Sequence, residues 1–383
     1  MHSLNRTPAE RRRQQRAAYM RPVPFLLAAV LFVLLASPPN ASAAEAPWPV
    51  KVVVVSMFEH GELSGDRPGE YQLWIERLPL EREWAFPLGE YPLRSHPDGV
   101  LAICVGGGIP NAAASIMALG LDPRFDLSDA YWLVAGIAGG DPNDASLGSA
   151  VWARHVVDGD LLYEIDAREI PEEWPYGIIP LGGEAPADSP EDIQTGWTVD
   201  TIHFSLNAGL AGWAYEQSQG HLSPDTPEMK RFRKQFEGYP AAQAPPQVLM
   251  GDTLSASTYW HGAKLNRWAN DWMALYAGPS SNFVTSNMED SGTLTALRRL
   301  DRIQRADLDR VMVLRTVSNF TMPPPGQSAA WSTTAPYPNQ GFPAIESAYL
   351  AGSAVVRALL EDWDTHQTTI PGISPAASPG AKR

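Results

Sequence analysis

The chain has 383 residues, 44% hydrophobic and 19% charged, with a formal net charge of -14. That is enough for one large domain or two small ones with an ordinary core, and so acidic a surface disfavours nucleic acid or an anionic membrane as partner. The single cysteine, Cys104, excludes an intrachain disulfide framework and any Cys-based zinc site, and its apolar setting VLAICV marks a core position.

Taken in chain order, the first feature is basic and then apolar. Arg11, Arg12, Arg13, Arg16 and Arg21 precede the run FLLAAVLFVLLA (Phe25 to Ala36), which is followed by Ser37, Pro38, Pro39 and Ala41-Ser42-Ala43. This pattern predicts a cleaved secretory signal peptide over residues 1–43, with Met20 as an alternative start and an uncleaved anchor as the competing reading. Residues 1–43 hold six arginines and one glutamate, so cleavage takes the net charge from -14 to -19. The expected location is periplasmic or secreted. After residue 44 no stretch is long and apolar enough to predict a membrane-spanning helix, so no stable membrane insertion is expected after cleavage.

Strand and helix signals then alternate. VKVVVVSMF (50–58) and GVLAICVGGG (99–108) predict buried strands, PNAAASIMALGL (110–121) a helix opened by Pro110, and AYWLVAGIAGG (130–140) a strand ending in glycines. Residues 148–166 alternate like antiparallel strands, 167–196 read as an inserted surface loop, and 197–237 as mostly helical. PQVLMGDTL (246–254) predicts a strand, and 262–277 a helix with Trp268 and Trp272 four apart. Residues 283–303 run from strand into helix, and 343–363 form a last helix. The tail from about 366 is compositionally disordered. Alternation of this kind predicts one α/β domain, residues 44–365, with a mostly parallel or mixed central sheet.

The run VMVL (311–314) predicts a strand buried on both faces. It turns polar at Arg315, Thr316, Ser318 and Asn319, then meets Pro323 to Pro325, which stop regular structure. Ligands in open α/β sheets sit at the carboxyl ends of strands. Other candidate ends are Ser56 to Glu62, GGGIPNAA (Gly106 to Ala113), GIAGG (Gly136 to Gly140) and SNMEDSG (Ser286 to Gly292). Glycines there let backbone approach a ligand. GGGIPN departs from a dinucleotide fingerprint because Pro110 lacks an N–H.

These motifs, in this order, resemble the nucleoside phosphorylase and nucleosidase superfamily. SMFEHGELSGDRPGEYQLWIER, TYWHG, NMEDSGTLTAL and VLRTVSNFTMPPPG more closely resemble the purine nucleoside permease family, over about residues 48–360. The resemblance implies a nucleoside phosphorylase-like fold, a twisted mixed sheet flanked by helices, and a purine nucleoside as ligand. It implies that Glu289 accepts from the ribose 2′ and 3′ hydroxyls while Met288 packs on the sugar. A carboxylate suits a vicinal diol because it offers two acceptor oxygens. The helix-dipole role of a carboxylate is the bland alternative.

Asn319 would read the base. An amide can donate to N7 and accept from a ring N–H, which favours 6-oxopurines; a turn cap is the alternative. Phe283 is a candidate stacking residue or an ordinary core aromatic. Gly107, Gly108, Asn111 and Gly139 are candidate binding positions at the glycine-rich ends, and Asp252 a candidate for ordering sugar or water. Where the phosphorylases hold phosphate with Arg and Ser, this chain has Val134 and Ile137, which cannot bind a dianion. Arg67, elsewhere in the chain, is a candidate substitute, but phosphorolysis is disfavoured.

For hydrolysis, Glu59 is the expected water-activating carboxylate, with Glu62 and His60 in range. The histidines are scattered without metal-ligand spacing, so no metal and no cofactor are expected. Two readings result. One is an exported purine nucleoside hydrolase. The other is a non-catalytic nucleoside-binding protein serving a separate membrane transporter. A homo-oligomer is expected by analogy only.

Overall fold

In the computed structural model, which describes residues 46–186, 193 and 199–373, the four-valine run forms β1 (Val52–Ser56). Its side chains alternate between two cores: Val53 and Val55 face one, Val52 and Val54 the other. Burial on both faces explains why the run carries no polar alternation.

The main sheet contains β2 (Arg82–Trp84), β3 (Leu93–His96), β4 (Val100–Cys104), β5 (Tyr131–Gly140) and β6 (Ala150–Asp158). It continues with β7 (His203–Ser205), β8 (Val248–Ser255), β9 (Phe283–Asn287) and β10 (Val311–Phe320). The order is β7-β6-β8-β9-β5-β1-β4-β3-β2, and β10 pairs with both β5 and β6. The pairings β5-β10-β6-β8-β9-β5 therefore close a ring of five strands at one end of the sheet. Strands β1, β4, β3 and β2 extend from β5 as an open, mixed wing, while β7 pairs with β6.

Helices cover both faces. α1 (Gln72–Arg77), α3 (Ala208–Gln217) and α6 (Phe342–Glu361) supply Trp74, Leu210, Ala214 and Val355 to one core. α2 (Ile109–Gly120) and α5 (Asp290–Asp301) pack on the opposite face through Ile116, Leu119, Leu294 and Leu297. α4 (Ala263–Ala277) buries Trp268 and Trp272 against Phe283 and Leu254. The structure is thus the expected mixed α/β architecture, and Cys104 lies buried in its core.

Several local expectations need correction. Residues 148–166 form two strands that pair elsewhere: β6 is antiparallel to β7 and β10 and parallel to β8, while Leu162–Glu164 is antiparallel to Ile178–Pro180. The proposed surface loop therefore contains a strand, and buries Tyr176 and Ile178. The strand that begins at Val311 carries Asn319 near its end, at Phe320, and holds Arg315 inside it because that side chain finds a buried counter-charge. Packing also extends past residue 366: the His366 and Gln367 carbonyls accept Arg310 at 3.0 and 2.8 Å, and Tyr131 donates to the His366 carbonyl at 2.8 Å. The predicted signal peptide and residues 374–383 lie outside the described residues. No helix among the described residues is long and apolar enough to cross a membrane.

Candidate functional site

A cavity of about 740 Å³ opens where the strand ring meets the wing. The ends of β1, β5, β9 and β10 form its floor through Met57, Ile137 to Gly139, Ser286 and Asn287, and Arg315 with Asn319. Residues 335–337 and 339–341, Glu228 and Tyr259 complete its walls.

Glu289 enters from the N-terminal end of α5. Asn287 sets it there: its side-chain oxygen accepts the Glu289 and Asp290 amides at 3.1 and 3.0 Å, while its amide donates to Thr253 at 2.8 Å. One Glu289 oxygen accepts the Gly108 amide at 3.1 Å; the other accepts Met288 N–H at 3.2 Å and the Arg315 guanidinium at 3.4 Å. Burial pushes its pKa up, against the opposing pull of Arg315 and the Gly108 amide.

Arg315 is the buried cation of the site. It donates to both Asp290 oxygens, pairs with Glu289, and gives a further N–H to the Ile137 carbonyl at 3.1 Å. Burial works against its charge, but Asp290, Glu289 and Glu70 more than reverse that and hold it above its ordinary pKa. Removal of such a charge from water is tolerated only because its donors find partners.

Glu70 was not singled out by sequence, although it lies in the quoted run SMFEHGELSGDRPGEYQLWIER. It is buried, lines the cavity, and accepts the Met57 amide on one oxygen at 2.8 Å and the Ile137 amide on the other at 2.6 Å. Burial raises its pKa to about 8, with Arg315 pulling down and Glu289 pushing up. Gly136 makes this placement possible: a Cβ there would sit 2.6 Å from a Glu70 oxygen.

Glu59 corrects the sequence expectation. Its carboxylate does not line the cavity; it accepts the backbone amides of His60, Gly69, Tyr71 and Gln72 and so shapes the loop that delivers Glu70. Glu62 and His60 are exposed and likewise absent from the lining. Asp252 also has a structural task, accepting the His155 and Asn282 amides at 3.0 and 2.8 Å beside a register shift in β8. Phe283 lies in the core against Trp260, not in the cavity. The cavity's aromatic rings are instead Phe58, Tyr259 and Tyr337.

Met288, Glu289, Gly139 and Asn319 do come together. A register shift at Ser318 places Asn319 opposite Gly139, where a Cβ would lie 3.2 Å from the Asn319 amide nitrogen. Asn319 accepts Ser318 O–H at 2.9 Å and makes a long 3.3 Å contact to the Phe320 carbonyl, so its amide nitrogen is weakly engaged. Gly108 braces Glu289 from behind, whereas Gly107 and Asn111 are exposed, joined by a 2.8 Å side-chain to carbonyl bond. Val134 is buried in the core, Ile137 faces the cavity, and Arg67 reaches the rim by donating to Gln340.

Fold and site together describe a mixed α/β protein with a strand-end cavity built around buried carboxylates and one arginine. Residues 49–371 match the family model described as "Purine nucleoside permease (NUP)", and the chain belongs to that family. A relative from Candida albicans named "Purine nucleoside permease" is 33% identical over 326 residues, 82% of this chain and 76% of that protein. A "Probable purine nucleoside permease C285.05" from Schizosaccharomyces pombe is 27% identical over 353 residues, 88% and 97% respectively. Solved structures aligned with the chain include a 5'-methylthioadenosine/S-adenosylhomocysteine nucleosidase from Neisseria meningitidis (15% identity, TM-score 0.48, 81% of this chain and 99% of that one). The futalosine hydrolase of Helicobacter pylori aligns at 14% identity and a TM-score of 0.46, covering 81% and 98%. Likenesses that distant transfer no role to any residue.

Proposed function

We propose that the cavity binds a purine nucleoside, with a preference for 6-oxopurines, and cleaves its N-glycosidic bond with water. The observation that carries this reading is the convergence of Glu289, Arg315, Glu70 and Asn319 on one cavity. Glu289 accepts the ribose 2′ and 3′ hydroxyls, and Arg315 keeps that carboxylate oriented. Asn319 holds the base through N7. Glu70 retains a free lone pair on each oxygen after accepting its two amides, which leaves it able to take a proton from water. Water adds at C1′, the C1′–N bond breaks, and the base departs with the bonding electrons. The proton lost to Glu70 is balanced by one the base takes from solvent.

The second reading is nucleoside binding in support of a separate membrane transporter. It is favoured by the relatives' names together with the lack of a spanning helix among the described residues. Under either reading the chain is an exported protein whose residues 1–43 are removed, so the intact mass of the envelope protein should begin at Ala44.

Incubation of the purified protein with inosine, with and without phosphate, tests the function. Hydrolysis yields hypoxanthine and free ribose at a rate indifferent to phosphate. Ribose 1-phosphate as product would reject hydrolysis, and binding without any base release would leave the transport-associated reading.

A further inference from the structure

The Glu70 carboxylate occupies a cradle that is itself a receptor for a small oxyanion. Its walls come from three places. The Met57 amide leaves the end of β1, the Ile137 amide lies in the neighbouring β5, and each donates to a different Glu70 oxygen. Behind them Arg315 supplies positive charge, and Gly136 leaves the space in which the anion sits. Two converging amides with an adjacent guanidinium are the ingredients of an anion site, since N–H donors to a charged acceptor give strong, directed bonds.

We infer that the Glu70 carboxyl group fills an oxyanion-binding cradle, and so determines that the cavity admits a neutral ligand and water rather than a free anionic co-substrate. The inference rests on the cavity assigned above, but not on what organic ligand that cavity takes. It also explains how a site with two buried amides and a buried arginine excludes free anions: a carboxyl group of the chain already occupies both amides. Opposing charge comes from Glu289 and Asp290, which face Arg315 from α5. They leave little net positive charge in the cradle, so formate, which matches the lost carboxyl group in size and shape, should bind more tightly than the bulkier phosphate.

The test is thermal unfolding and calorimetry of the full chain, without nucleoside, in wild type, Glu70→Ala, Glu70→Ser and Glu70→Gln. Formate and inorganic phosphate at pH 6 are the probes, with chloride as the ionic-strength control. The expected result is that formate raises the Tm of Glu70→Ala and Glu70→Ser by roughly 2–4 °C at saturating concentration. Wild type and Glu70→Gln, whose cradle is still filled, should not respond. Two variants guard against a single folding failure, and formate-dependent recovery of soluble protein would itself count in favour. Cooperative unfolding of either small-side-chain variant with no formate response, or an equal response in wild type, would overturn the inference. Because no nucleoside is present, that failure is separable from failure of the nucleoside assignment.

Discussion

Glu289 and Arg315 meet at 3.4 Å across 26 positions of sequence, and the same guanidinium also holds Asp290. One cation thus serves two carboxylates that are neighbours in the chain but face different ways: Asp290 is fully buried, while Glu289 lines the cavity. The pairing fixes the edge of α5 against β10.

Arg315→Met should therefore be costly. It preserves length and apolar volume but strands two buried carboxylates, so a loss of about 3–5 kcal/mol is expected. Urea unfolding at neutral pH measures it. A loss below about 1 kcal/mol would mean that Asp290 and Glu289 are solvated or protonated without Arg315.

Glu70 gives a pH dependence with a definite sign. Its folded pKa of about 8 lies above the ordinary 4.5, because burial outweighs the pull of Arg315. Between those values the folded state holds the proton more tightly than the unfolded state. Its contribution to stability is therefore fully present below about pH 4.5 and is lost as pH rises to about 8. Glu70→Gln should flatten that decline when urea midpoints are compared at pH 5 and 8.5. Under the hydrolytic reading, turnover rises over the same approach to pH 8 as Glu70 ionises. A wild-type slope shared unchanged by Glu70→Gln would assign the titration elsewhere.

The alternation of strands and helices and the two-faced burial of β1 and β4 were legible in the sequence from periodicity, while the grouping of Met288, Glu289, Gly139 and Asn319 was legible from polar strand ends together with the family resemblance. Glu59 misled because a carboxylate just after a strand looks alike whether it faces a cavity or caps a loop. Only the tertiary path of residues 59–72 shows that four amides converge on it and that Glu70 reaches the site. The part played by Arg315 was masked in the same way: a charge inside a strand has no visible role until its buried partner, 25 residues earlier in the chain, is known. A strand ring closed by β10 on both β5 and β6 has no local signal at all.

Asn319 should set base preference. Opposite Gly139, its amide NH2 can donate to N7 and to the adjacent O6 carbonyl of inosine or guanosine, an acceptor that adenosine lacks. An unpaired buried polar group costs roughly 1–3 kcal/mol, so preference for the 6-oxopurines should be about tenfold or more. Asn319→Asp should shift it toward adenosine, because a carboxylic acid can protonate adenine N7. Competition binding decides; equal affinities in wild type with no swing in the variant would reduce Asn319 to a turn residue.

The rim should control exchange more than stability. Arg67 is exposed and holds Gln340 within a turn where Asn339 and Gln340 adopt φ of 44° and 51°, left-handed values uncommon for non-glycine residues. Arg67→Ala should leave the unfolding midpoint within about 0.5 kcal/mol of wild type, as for most surface changes. It should nevertheless accelerate nucleoside dissociation in stopped-flow displacement. Unchanged dissociation would mean that the clasp does not gate the cavity.

Calorimetric titration of inosine into wild type and Glu289→Gln tests the nucleoside assignment most directly. The variant keeps the size of the side chain but turns one acceptor oxygen into a donor, so it can no longer accept both ribose hydroxyls. Loss of a charged hydrogen bond predicts a penalty of roughly 1.5–3 kcal/mol, an affinity about 10- to 150-fold weaker, with 2′-deoxyinosine already weak in wild type. Equal inosine affinity in the two proteins, or no difference between ribo and deoxy forms, would contradict the assignment of this cavity to a nucleoside.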